Sequence, residues 1–177
     1  GTDHLGRDLL SRLIFGGRLS ILIGLSITAL STVISTLIGG TSGFIGGKFD
    51  IIVQRVVDAW IVFPGLLLLL TIMSIVGPGI PQIILVLGIS GGIGGSRVIR
   101  GAVIAIKEND YFLAAEATGN RRVRTLIRHV VPNIMPVIII VFSISLGGHI
   151  LSLASLSFLG FGLPPGSPDW GSLLSIE

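Results

Sequence analysis

Three stretches of this chain contain no Asp, Glu, Lys or Arg: Leu19 to Gly47, Ala59 to Ser96 and Val130 to Pro168, of 29, 38 and 39 residues. About 20 apolar residues suffice to carry a helix through the roughly 30 Å of hydrocarbon in a bilayer, so each stretch is long enough to cross. The second is too long for one crossing, because a single helix of that length would run about 57 Å. It is interrupted at Gly77-Pro78-Gly79-Ile80-Pro81. Two prolines remove helix donors there and two glycines supply turn geometry, which predicts one helix near Ala59 to Val76 and another near Gln82 to Ser96. The third stretch ends in Gly160-Phe161-Gly162-Leu163-Pro164-Pro165-Gly166-Ser167-Pro168, too rich in breakers for a helix, so its span lies near Asn133 to Ser157. The expected fold is all-α, a polytopic transmembrane helical bundle with four spans.

The composition agrees with lipid as the solvent. Half the residues are apolar, 12% are charged and the mean hydropathy is +0.95, which excludes an ordinary soluble domain. A formal charge of +3 does not point to nucleic acid, because the basic residues sit in short segments between apolar runs. With no cysteine there is neither a disulfide framework nor a thiolate metal site. Residues 1–18 carry charges throughout and hold no signal-peptide core.

Basic residues also orient the chain, since Lys and Arg favour the cytoplasmic side. The connection Arg97 to Arg128 holds seven of them, at 97, 100, 107, 121, 122, 124 and 128, against three acids. Placing it in the cytoplasm puts Lys48 to Asp58 inside as well. Residues 1–18, the Gly-Pro turn and the tail after Ser157 then lie outside, so that nine basic residues are inside and three outside. With its first segment outside and no signal sequence, the chain is expected to continue into another helix before Gly1. Trp60 and Trp170 fall near span ends, where an amphipathic ring prefers the headgroup layer. The organisation expected is an extracytoplasmic lead-in at 1–18, a transmembrane permease domain at 19–157 that includes a cytoplasmic loop at 97–132, and an extracytoplasmic tail at 158–177.

Within that loop the residues predict helix, glycine turn, helix. Asn109 or Asp110 caps the first helix, Gly119 supplies the left-handed residue that ends it, and Pro132 stops the second before the membrane is re-entered. Val123, Leu126, Ile127 and Val130 follow i, i+3, i+4, i+7 spacing, while Arg121, Arg124 and Arg128 cluster opposite. Such a helix suits either of two places, the lipid surface, with its arginines near anionic headgroups, or a cleft in a cytoplasmic partner.

The run Ala114-Ala115, then Gly119, then Arg128-His129-Val130-Val131-Pro132-Asn133, resembles the "EAA" loop of binding-protein-dependent ABC importer permeases. Three further stretches are similar to the dipeptide, oligopeptide and nickel branch of that family. They are Gly1-Thr2-Asp3-His4-Leu5-Gly6-Arg7-Asp8-Leu9-Leu10-Ser11-Arg12-Leu13; Asp58-Ala59-Trp60-Ile61-Val62-Phe63-Pro64; and Leu156-Ser157-Phe158-Leu159-Gly160-Phe161-Gly162 with Pro164-Pro165 and Asp169-Trp170-Gly171. The match runs from end to end in the family's order. It implies a six-span permease of which four spans are present, set in the cell inner membrane. It further implies two cytoplasmic ABC ATPase subunits that bind the ATP, a second permease subunit and an extracytoplasmic solute-binding protein. The coupling residues it implies are Leu113, Ala114, Ala115, Glu116, Gly119, Arg121, Arg124, Arg128, His129 and Pro132. Peptides are the implied solute, with nickel or another small solute as the alternative. The sequence departs from the pattern at Leu113, where the family has Glu; Glu116 follows three residues later on a similar helix face. It departs again before Ser157, with Leu153 where peptide permeases often carry an acid and His149 where they carry a small residue.

Other patterns carry less. Gly46-Gly47-Lys48-Phe49 lacks the spacing and the hydroxyl of a phosphate loop, and Gly91-Gly92-Ile93-Gly94-Gly95-Ser96 lacks the third glycine and the βαβ unit of a dinucleotide site. The ATPase is therefore expected on another chain. Gly39, Gly43 and Gly47, like Gly88 and Gly92, recur every four residues, as helices do where backbones approach closely in lipid. His149, deep in the last span, is either a solute-facing group or a neutral imidazole bonded to a neighbouring helix. No nucleophile, base and oxyanion donors are arranged together, which argues against an enzyme. The competing class is a secondary transporter or channel, which interrupted helices also serve.

Overall fold

A computed structural model describes residues 1–2, 6–109, 125–163 and 167–176, and these are helical almost throughout. Among the described residues six α-helices follow in order: α1 (Leu9–Ile45), α2 (Gly47–Val62), α3 (Gly65–Val76), α4 (Ile80–Lys107), α5 (Val131–Phe158) and α6 (Trp170–Ile176). A single π-helical turn, Leu126–Val130, leads directly into α5. Three helices, α1, α4 and α5, are each long and apolar enough to cross a bilayer, and the bent pair α2 and α3 passes the same test only when taken together, as a broken span or a re-entrant loop.

α1 begins at Leu9, ten residues before the charge-free run. Asp8 caps it, accepting from the Ser11 amide at 3.0 Å. The Ser11 hydroxyl, and then that amide, hold the Asp8 carboxyl below the usual carboxylate range. The helix runs 37 residues, about 55 Å, to Gly46 and Gly47, whose φ angles of +69° and +59° turn the chain into α2.

The buried side of α1 is built from small residues: Gly16, Ser20, Gly24, Thr28, Ser31, Ser35, Gly39, Ser42 and Gly43 all lie there, while Leu22, Leu25, Val33 and Leu37 face outward. This inverts the pattern of a soluble helix. Lipid tails are as apolar as leucine, so helices gain from close backbone approach rather than from hiding large side chains. The closeness is measurable against α4. A Cβ at Gly39 would lie 2.2 Å from the Ser96 carbonyl oxygen, and one at Gly92 would lie 2.6 Å from Ile34 Cβ. Gly39, Gly43, Gly88 and Gly92 thus pack as expected, whereas Gly47 meets nothing and serves the turn instead.

Two apolar clusters fix the ends of the bundle. One gathers Ile23, Ile27, Leu69, Met73, Ile83, Leu87, Leu153 and Leu156 from α1, α3, α4 and α5. The other gathers Ile99, Val103, Val130 and Ile134, with Phe44 packed against them. The start of α1, the Gly-Pro turn and α6 therefore share one end with the first cluster. The second end holds Lys48, Arg55, Arg97, Arg100, Lys107 and Arg128, the same grouping that the charge distribution predicts.

Four expectations need correction. The helix expected over Ala59 to Val76 is broken at Phe63-Pro64, where α2 and α3 meet at 89°. Pro64 has no N–H to give and drives Phe63 into extended backbone, φ −73°, ψ 137°. Lys48 to Asp58 belongs to α2 rather than to a connecting segment. α4 begins at Ile80, with Pro81 tolerated in its first turn, and passes Ser96 to end at Lys107, carrying Arg97 and Arg100 on its length. Finally, Pro132 does not stop a helix: it sits in the first turn of α5, which the π turn enters without a break.

Candidate functional site

The predicted loop is held between two helix ends. Just beyond the end of α4 at Lys107, the Asn109 side-chain Nδ2 donates back to the Ala105 carbonyl at 3.3 Å. Whether it also caps a following helix falls outside the described residues, as do Asp110, Leu113, Ala114, Ala115, Glu116, Gly119, Arg121, Val123 and Arg124. On the far side Thr125 is buried, and Leu126 and Val130 pack into the second apolar cluster. Both belong to the apolar face read from the spacing. Arg128 is exposed on the π turn that His129 also joins.

The π turn has a local cause in the sequence. Val131 donates its N–H to the Leu126 carbonyl, five residues back, and the next residue is a proline with no N–H. Lys107 ties the same region to α1: its Nζ donates to the Phe44 carbonyl at 2.9 Å and lies 5.9 Å from the Phe44 ring. A cation there answers the unsatisfied carbonyls at the α1 C-terminus. The ends of α1, α4 and α5 consequently converge at the base of the loop.

Beside this base lies a feature the sequence reading missed. Asp50 on α2 receives a two-pronged contact from Arg100 on α4, at 2.6 Å from Nε and 2.5 Å from Nη2. Asp58 pairs with Arg97, and Arg55 stands 3.7 Å from Asp58. These groups, with Gln54, line an open groove of about 430 Å³. The signal was present: Asp50, Gln54 and Asp58 repeat every four residues, and Arg97 and Arg100 lie three apart, one face of a helix in each case. Reading 48–58 as a connection hid it.

His149 lies at mid-bundle. Its Nδ1 is 3.0 Å from the Thr28 hydroxyl, which itself donates to the Gly24 carbonyl at 2.7 Å, so the ring is the donor to Thr28. Its Nε2 faces α4 so closely that a Cβ at Gly91 would be 2.5 Å away. The imidazole is thus bonded to a neighbouring helix and wedged against another. No group of three or more His, Cys, Asp or Glu residues placed to hold a metal ion occurs among the described residues.

Comparison with known proteins bears on this arrangement. Residues 32–176 match the family described as "Binding-protein-dependent transport system inner membrane component". The chain is 37% identical over 175 residues to the oligopeptide transport system permease protein OppC of Bacillus subtilis (strain 168), covering 99% of this chain and 57% of that protein. It is 38% identical to the di/tripeptide transport system permease protein DppC of Pseudomonas aeruginosa (strain UCBPP-PA14), again over 99% of this chain and 58% of that one. It is 34% identical to the glutathione transport system permease protein GsiD of Pectobacterium atrosepticum, with 99% and 58% covered. The chain spans just over half the length of these relatives.

Proposed function

This chain belongs to the family of binding-protein-dependent inner membrane transport components, and we propose that it forms half of the translocation pathway of an ATP-driven importer of peptides. Its family is an inner membrane component, and its several long apolar helices suit a multi-pass place there. The relatives named for oligopeptide, di/tripeptide and glutathione transport support a peptide-like solute. In this reading the second permease subunit supplies the other half of the pathway, and an extracytoplasmic binding protein delivers the solute. Two ATPase subunits bind the ATP. The chain itself breaks no bond.

The observation that carries the mechanism is the convergence of α1, α4 and α5 at the base of residues 110–124. A partner that pulls on this segment acts at once on α4 and α5, which meet in the buried cluster Ile99, Val103, Val130 and Ile134, and on α1, whose Phe44 packs against that cluster. Rigid helices passing through the bilayer then carry the displacement to the opposite end, and the pathway alternates its access. Within the segment, Leu113 to Arg124 would meet the ATPase, with Glu116 as its acid, and Arg128, His129 and Pro132 would join it to α5.

The test is solute-stimulated ATP hydrolysis by the full-length permease assembled with its partner subunits. Gly119→Pro, which forbids a left-handed residue at the turn, is expected to abolish the stimulation. Stimulation that survives this change, or the removal of residues 111–131, would contradict the coupling role.

A further inference from the structure

α2 is bounded along the chain by two backbone breaks, Gly46-Gly47 at its start and Phe63-Pro64 at its end. Across the bundle it is fastened. Asp50 meets Arg100, Asp58 meets Arg97, and Trp60 Nε1 donates to Ser90 Oγ at 3.3 Å. These three rungs ascend α2 as they descend α4, so the two helices lie antiparallel. One further bond reaches α1, from Gln54 Nε2 to Ser42 Oγ at 3.3 Å. The Asp50 side chain is only 12% exposed and that of Arg100 32%, so the carboxylate is the shielded member of a pair that borders the groove. Separating such a pair leaves a carboxylate and a guanidinium without compensation, and two-pronged geometry fixes register as well as distance.

We propose that α2 travels as a passenger of α4: the Asp50–Arg100 and Asp58–Arg97 pairs clamp it to the helix from which the coupling segment hangs, and it pivots at its two breaks when α4 is displaced. The inference rests on the coupling role proposed above and extends it to the crease at Pro64. There, a gap of about 210 Å³ lined by Trp60, Phe63, Leu68, Ser90 and Gly94 leaves room for the angle between α2 and α3 to change. A force applied beyond Lys107 thus reaches the interior of the bundle through a charged joint, and the chain connection through α3 yields.

The full-length permease, assembled with its partner subunits in lipid, tests this with spin labels at the exposed positions Val56, Leu67 and Val98. Between the nucleotide-free and ATP-trapped states the Val56–Val98 distance is expected to stay constant while the Val56–Leu67 distance changes. Asp50→Asn is expected to broaden the Val56–Val98 distribution and to lower solute moved per ATP about tenfold, within the ordinary range of coupling between sites. The exchange Asp50→Arg with Arg100→Asp is expected to restore both. A Val56–Val98 distance that shifts with nucleotide in the unmodified complex overturns the clamp, as does an Asp50→Asn variant with unaltered distribution and stoichiometry. An assembled exchange variant that restores neither also overturns it. If no variant assembles, the two label pairs in the unmodified complex decide alone. An unmodified complex without solute-stimulated hydrolysis sinks the importer reading and this inference with it, whereas the other adverse results sink the clamp only.

Discussion

The residues that decide this fold are its smallest. A methyl group at Gly39 would run into backbone, 2.2 Å from the Ser96 oxygen and 2.9 Å from the Arg100 nitrogen, and neither can step aside as a flexible side chain can. Gly39→Ala is therefore expected to force α1 and α4 apart, at about 2 kcal/mol, the middle of the range for overpacked interiors. Gly94→Ala, where a Cβ meets nothing within 4 Å, is expected to leave stability unchanged or to raise it by up to about 1 kcal/mol, since alanine is the better helix former. Thermal unfolding of the two variants in detergent checks the contrast; equal midpoints would remove the argument. The four-residue spacing of glycines revealed which faces meet, because close packing imposes it. It could not separate Gly47 from Gly43, since only the positive φ at Gly47 shows that it serves a turn. His149 was likewise legible as a polar group in lipid, but Thr28 stands 121 residues away, and no local pattern names such a partner.

Whole elements were legible where a chemical boundary marked them. Charge-free runs placed α5 and all of α1 except its first ten residues, where Arg12 and Arg18 lie inside the helix, and the Gly-Pro cluster placed the turn before α4. What misled was charge taken as an end: Lys48, Asp50, Arg55 and Asp58 lie inside α2, and Arg97 and Arg100 inside α4, where Asp50 and Asp58 of one helix pair with Arg100 and Arg97 of the other. Phe63-Pro64 was a visible break, but it stood within an apolar run, and hydropathy alone does not register a bend. The π turn adds a prediction at this scale. Pro132→Ala returns an N–H to the ladder and is expected to let Leu126–Val130 relax to α-helical register, turning Arg128 by about 100° about the helix axis. Lipid accessibility of a spin label at 128 measures that rotation. An unchanged profile would mean that packing of Leu126 and Val130, rather than the proline, sets the register.

Across the whole molecule, charge, packing and chain order agree on two unlike ends. One carries the docked tail: Trp170 donates from Nε1 to the Leu13 carbonyl at 3.2 Å, and its amide donates to the Ser20 hydroxyl at 3.2 Å. The other is basic and gathers three helix ends beneath residues 110–124. An importer permease needs such polarity, because solute arrives on one side and the motor acts on the other. The coupling of those ends is the central claim, and cross-linking tests it most directly. A photoreactive side chain at position 120 of the full-length protein, irradiated in native membranes, is expected to form an adduct with a separate ATPase, in a yield that changes when ATP is bound. Adducts to lipid alone, together with labelling of Asn120→Cys from outside intact cells, would contradict it.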